Sequence, residues 1–343
     1  MKQRISAMVI VAALVVAGCG TSQPSTSDAA AQPAAFTAAQ LAVFAPLPAQ
    51  MEANGQAVPA AKVALGRALF NETLLSEGHD VSCNSCHALN AYGVDGRRAS
   101  LGFDGRPGGR NAPTVYNAAG QVAQFWDGRA ANVEAQAKGP ILNPVEMGMS
   151  DSTEVLKHLR ASPAYVASFR AAFPGEANPV TYDNVGNAIG GFERGLVTPA
   201  RFDRFLEGDE STLTNAEQEG LHTFLDTGCQ SCHMGPYVGG DRFMKAGMVN
   251  AWFSQVDSGR YGVTKNANDM FVFKVPSLRN IEKTGPYFLD GSVADLNEAV
   301  RLMAHHQLGK ELAPAQVQSI VTWLGSLTGE LPAAYIAFPQ KPK

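Results

Sequence analysis

Cys83-Asn84-Ser85-Cys86-His87 and Cys229-Gln230-Ser231-Cys232-His233 are two copies of one pattern, C-x-x-C-H. Two thiols separated by two residues can form thioether bonds to the two vinyl groups of a haem. The histidine that follows is then placed as an iron ligand. A bare C-x-x-C also suits a redox disulfide or half of a zinc site, but the adjacent histidine in both copies makes those readings poor. The chain is therefore expected to carry two covalently attached c-type haems, held by Cys83, Cys86, Cys229 and Cys232, with His87 and His233 as axial ligands. These four cysteines leave only Cys19 of the five, so no structural disulfide is expected.

Cys19 has its own context. Lys2 and Arg4 precede an apolar run from Ile5 to Ala17, followed by Gly18-Cys19-Gly20. The run is too short to span a bilayer and has the charge layout of a secretory signal. Val16-Ala17-Gly18-Cys19 resembles a bacterial lipoprotein signal. In that reading residues 1–18 are removed and Cys19 is lipidated, with Gly20 favouring the outer membrane. An ordinary signal peptide, with Cys19 incidental, is the alternative. Residues 19–38, rich in Ser, Thr, Ala, Gln and Pro, read as a flexible tether to a periplasmic body. The net charge is −4, and removal of Lys2 and Arg4 makes the mature chain more acidic. That argues against nucleic acid and suits a small basic redox partner.

Each haem motif follows a helix-like stretch. Val63, Leu65, Ala68 and Leu69 pattern the run from Lys62 to Phe70. Thr214-Asn215-Ala216-Glu217 reads as a capping box ahead of Leu221, Phe224 and Leu225. Further helical patterns cover Thr153–Leu159, Ala164–Phe173, Asn184–Leu196, Ala294–His306 and Ala315–Leu327. The best strand signal is Met270–Val275. The fold class is mainly α, with two cytochrome c-like domains, residues 39–200 and 201–343, and a boundary near Pro199–Leu213.

From Val63 to Gly329 the chain resembles the bacterial di-haem cytochrome c peroxidases. The resemblance is carried by Arg110-Asn111-Ala112-Pro113-Thr114-Val115-Tyr116-Asn117, Gln124-Phe125-Trp126-Asp127-Gly128-Arg129, Gln136-Ala137-Lys138-Gly139-Pro140, Val145-Glu146-Met147, Arg279-Asn280-Ile281 and Pro286-Tyr287-Phe288. It implies that the N-terminal haem meets peroxide and the C-terminal haem receives electrons. It makes Glu146 the acid-base group, Gln136 a positioning amide and Trp126 the residue between the haems. It also implies a Ca²⁺ site at Asn111 (side-chain oxygen), Thr284 and Pro286 (backbone carbonyls), hard donors that suit that ion.

Met303 lies on the helical face Leu296–Val300–Met303 and matches the family's second ligand to the C-terminal iron. His/Met ligation raises the potential, which suits an electron acceptor. Read alone, Met303 could equally be core filling. Met244, Met248 and Met270 are weaker rivals. His305 and His306 point to other faces of that helix. At the N-terminal haem the chain departs from the pattern. Where the family usually places a distal histidine, Ser100-Leu101-Gly102 is followed by Phe103, which cannot ligate iron. This implies an iron already open in the oxidised enzyme, with His79 or a shifted loop as the alternative ligand source.

The resemblance implies reduction of hydrogen peroxide to water with electrons from a small cytochrome c or a cupredoxin, in a family whose members are often homodimers. A di-haem oxidase of the methylamine-utilisation type is one alternative, disfavoured because it carries tyrosine where Met303 stands. A pure electron-transfer cytochrome is another, and would leave Glu146 and Gln136 without a role.

Overall fold

The computed structural model describes Met1 and residues 33–52, 55–252 and 254–338. The signal segment, Cys19 and most of the tether lie outside the described residues.

Nine helices longer than one turn position the sites within residues 33–338. They are α1 (Ala60–Phe70), α2 (Val133–Leu142), α3 (Ser152–Arg160), α4 (Pro163–Ala172), α5 (Tyr182–Glu193), α6 (Arg201–Leu206), α7 (Asn215–Thr227), α8 (Leu296–Leu308) and α9 (Pro314–Gly325). Strands β1 (Phe243–Lys245) and β2 (Val272–Lys274) form one antiparallel pair, with Met244 opposite Phe273. The class is mainly α, as the sequence implies. Long loops carry most of the remaining chain.

Two helix crossings repeat the same device. Helix α1 lies on α5 so closely that a Cβ on Gly66 would sit 1.8 Å from the Ala188 carbonyl oxygen. Helix α7 lies on α9 so closely that a Cβ on Gly220 would sit 2.1 Å from the Ser319 carbonyl oxygen. In each case the helix preceding a haem motif crosses a later helix backbone to backbone, and only glycine permits the approach. The apolar interior follows these crossings. One cluster runs from Leu65 to Leu196 and the other joins Phe44 to residues from Phe202 to Leu327.

Two terminal segments brace these clusters in a way the helical periodicity does not announce. Phe36, Leu41 and Val43 pack with the second cluster, where the Phe36 ring stacks on His222 at 4.0 Å. Leu331, Tyr335 and Ile336 pack with the first, where the Tyr335 hydroxyl donates to the Phe192 carbonyl at 2.7 Å.

The helical patterns are met within a few residues. Asn184–Leu196 ends early, at Glu193, and the boundary stretch contains α6, whose Phe202 and Phe205 are buried. Helices α2 and α6 are the two the pattern did not reveal, and α2 carries Gln136. The buried face of α2 is a narrow stripe of Val133, Ala137 and Ile141, and Gly139 and Pro140 interrupt its last turn. Both residues read as helix breakers in a one-dimensional scan.

Candidate active site

Both haem motifs adopt the same local turn. The His87 amide donates to the Cys83 carbonyl at 2.9 Å, and the His233 amide donates to the Cys229 carbonyl at 3.0 Å. One turn therefore places each pair of thiols and its histidine together. The routes into the turns differ. Helix α7 runs straight into the second motif through Gly228, which ends the helix with φ +96°. The first motif is separated from α1 by a loop, and Ser82 and Ser85 cap its single turn, Cys83–Cys86.

All four of these cysteine side chains are half-buried, and none is in a disulfide. Burial pushes the Cys83 thiol well above its ordinary range and the Cys229 thiol up to about 12, so both are neutral. Burial also lowers the His87 imidazole and brings His233 down to about 4. Both rings are thus neutral at pH 7, the form that ligates a metal. His87 Nδ1 is 3.3 Å from the Gly93 carbonyl oxygen, which orients the ring and leaves Nε2 for a ligand. His233 Nδ1 is buried without a partner at hydrogen-bond geometry, beside the backbone of Val238 and Pro276.

His233, Cys229 and Cys232 open into a cavity of about 990 Å³. Its wall includes one stripe of α8 formed by Leu296, Ala299, Val300 and Met303. Met244 lines the same cavity, whereas Met248 is exposed and Met270 is not on the wall. His305 contacts Glu311, and His306 is buried against Trp252 with Nδ1 3.1 Å from the Asn250 carbonyl. The neutral imidazole, the paired thiols and the volume of the cavity fit a c-type haem, with His233 and Met303 both on its wall.

Around the first motif, Phe103 and Glu146 come together. The Phe103 amide donates to the Glu146 carbonyl at 2.9 Å. The Phe103 ring lies where a Cβ on Gly148 (φ +75°) would approach to 2.1 Å, so Gly148 makes room for the ring. Glu146 follows α2 by one tight turn, its amide donating to the Asn143 carbonyl at 3.0 Å. Burial raises the Glu146 carboxyl above its ordinary range, opposed by the Arg129 guanidinium and a hydrogen bond from Asn143. Glu146 also lies within electrostatic reach of Cys86. Arg129 stacks on the Phe125 ring at 3.4 Å and is paired with Asp127. Sequence reading passes over Arg129 as a positive group near Glu146, because only the fold brings the two loops together. His79 is edge-on to His158 with ring centres 4.9 Å apart.

Gln136 is half-buried on α2, and no hydrogen bond among the described residues joins its amide to Glu146. Trp126, Asn111, Thr284 and Pro286 all line the cavity of His233. The Trp126 indole donates to the Asn111 carbonyl at 2.9 Å. Arg110 braces this segment with bonds to Asp127 at 2.7 Å and to Asp257 at 2.7 and 2.9 Å. Among the described residues no group of three or more His, Cys, Asp or Glu could hold a metal ion. Asn111, Thr284 and Pro286 would offer amide and backbone oxygens instead.

Comparison with known proteins gives a consistent result. Residues 60–211 match the family model described as di-haem cytochrome c peroxidase. A cytochrome c551 peroxidase of Pseudomonas aeruginosa is 43% identical over 297 residues, covering 85% of this chain and 86% of that protein. A cytochrome c551 peroxidase of Nitrosomonas europaea is 44% identical over 271 residues, covering 78% and 80%. Among solved structures, a MauG-like protein associated with microbial copper homeostasis superposes with a TM-score of 0.73 at 28% identity, covering 86% of this chain and 97% of that one.

Proposed function

The chain belongs to the di-haem cytochrome c peroxidase family, and on that premise we propose how its own residues perform peroxide reduction. The enzyme is an oxidoreductase that reduces hydrogen peroxide with electrons from a cytochrome, and it uses two haems. Bound by the two motifs, one haem would supply an iron for peroxide cleavage and the other a redox centre for electron entry.

In our reading Cys83, Cys86 and His87 hold the peroxide-side haem, and Cys229, Cys232, His233 and Met303 hold the electron-entry haem. Glu146 accepts the proton of the oxygen that stays behind and delivers it to the oxygen that leaves as water. Gln136 donates a hydrogen bond that orients peroxide without adding charge. Trp126, on the wall of the His233 cavity, couples the two halves. The observation that carries this assignment is Glu146: a carboxyl raised by burial, packed against the Phe103 loop and near Cys86. A carboxyl raised by burial holds its proton more readily than an exposed one, which suits a group that must both take up and return a proton.

Asn111, Thr284 and Pro286 hold Ca²⁺, residues 39–200 and 201–343 supply the two haem domains, with the segment to Phe44 crossing onto the second and Leu331–Ile336 onto the first, and the enzyme works in the periplasm, anchored through lipidated Cys19. A small cytochrome c or a cupredoxin donates the electrons, and two copies form a homodimer. Higher identity to the cytochrome c551 peroxidases than to the MauG-like structure supports peroxide reduction over substrate oxidation.

Covalent attachment has a direct check. Cys229→Ala should release or weaken the second haem, seen as loss of one haem mass and a shifted pyridine haemochrome band. A variant that keeps two doubly tethered haems refutes the attachment.

Phe103 sets the activation state, and turnover of the as-isolated ferric protein against half-reduced protein is the test of the whole reading. A phenyl ring forms no bond to iron, so no ligand has to leave before peroxide enters. The ferric wild type should show a high-spin component, bind cyanide fast and turn over without prior reduction. Phe103→His should become low-spin and inactive until reduced. Two low-spin haems and slow cyanide binding in the wild type would defeat the open site.

A further inference from the structure

Lys274 is a buried cation with no counter-charge of its own. It sits on β2 with 8% of its surface exposed, and its amide donates to the Trp126 carbonyl at 2.8 Å. Its ammonium has three donors, and one goes to Gln121 Oε1 at 2.5 Å. Among the described residues no carboxylate lies within ion-pair distance of it. Burial lowers it to about 8, which still leaves it mostly protonated at pH 7. A buried charge without a partner is costly, and proteins retain one where something supplies the opposite charge.

Its position identifies the supplier. Lys274 and Gln121 line the same cavity as Cys232, His233, Trp126 and Met303. The other cations on that wall, Arg98 and Lys245, are exposed at its rim. A haem brings two propionate carboxylates into a cavity whose remaining wall is mostly apolar. We propose that the Lys274 ammonium, with the Gln121 amide beside it, receives a propionate of the haem seated on His233. This rests on the second haem occupying that cavity. Lys274 thereby holds the macrocycle in register beside Trp126 and raises the reduction potential of that haem, because a nearby positive charge favours the reduced iron.

The test is a redox titration of wild-type, Lys274→Met and Lys274→Arg holoenzymes, with resonance Raman of the propionate bending modes. Lys274→Met should shift the second haem's reduction equilibrium toward the oxidised form by about tenfold, ~59 mV for one electron, and move its propionate mode. Lys274→Arg should restore both. An unchanged potential and mode in Lys274→Met overturns the proposal. A crystal structure of the wild-type holoenzyme decides the matter even if Lys274→Met fails to assemble. Nζ within about 3.2 Å of a propionate oxygen supports the contact, and Nζ turned away from both propionates refutes it. A haem found in that cavity without the contact sinks this inference alone. A cavity without haem sinks the functional reading beneath it.

Discussion

Glu146→Gln is expected to lower peroxide turnover by about two to four orders of magnitude, the usual contribution of a general acid-base group, with both haem spectra close to wild type. Glutamine keeps the size of the side chain and removes only its capacity to take up and return a proton. The Phe103 amide bonds to the Glu146 backbone carbonyl, so the substitution leaves that loop contact in place. Burial already disfavours the charged carboxylate here, so the neutral amide costs little in stability. The pH dependence follows with a definite sign. A carboxyl raised by burial is protonated up to a higher pH than an exposed one and cannot act as a base below it. The acid limb of kcat/KM in the wild type should therefore lie above the ordinary carboxylate range. Glu146→Gln should abolish that limb along with the rate. Undiminished kcat in Glu146→Gln would remove this residue from the mechanism.

Asp203→Ala should cost about 3–5 kcal/mol of stability, roughly two to three and a half orders of magnitude in the folding equilibrium. Arg279 and Asp203 form a two-pronged pair at 2.7 and 2.8 Å, with side chains 1% and 7% exposed. Asp203 also accepts the Leu47 amide at 2.8 Å and the Ala200 amide at 2.7 Å. Removing it strands a guanidinium in the interior and orphans two backbone donors. Arg279→Met should cost less, because Asp203 keeps its two amide donors. The guanidinium-chloride midpoint at unchanged slope reads this order directly. Arg279 also donates to the Pro236 carbonyl at 3.0 and 2.7 Å, three residues beyond His233. The second haem's spectrum should therefore respond to either change more than the first. Equal midpoints for wild type and Asp203→Ala would show that the pair contributes nothing.

What the sequence determined by itself is local chemistry. Two C-x-x-C-H motifs specify two tethering turns, because the spacing of thiols and imidazole is a property of five consecutive residues. Helices α1, α5, α7, α8 and α9 were legible because a 3.6-residue period and capping residues such as Thr214 and Glu217 act within one element. Helix α2, carrying Gln136, was not, since its buried stripe is narrow and its last turn holds Gly139 and Pro140. Tertiary structure decided the rest. Of four methionines that could face the second iron, it puts Met303 and Met244 on the cavity wall and leaves Met248 exposed. It sets Phe103 on Gly148 against the Glu146 loop, and brings Arg129 within electrostatic reach of Glu146. It also buries Lys274 beside Gln121 and pairs Asp203 with Arg279 across 76 positions. No periodicity encodes such pairs, because it acts within one element, whereas these partners lie on segments far apart in sequence that only tertiary packing brings together.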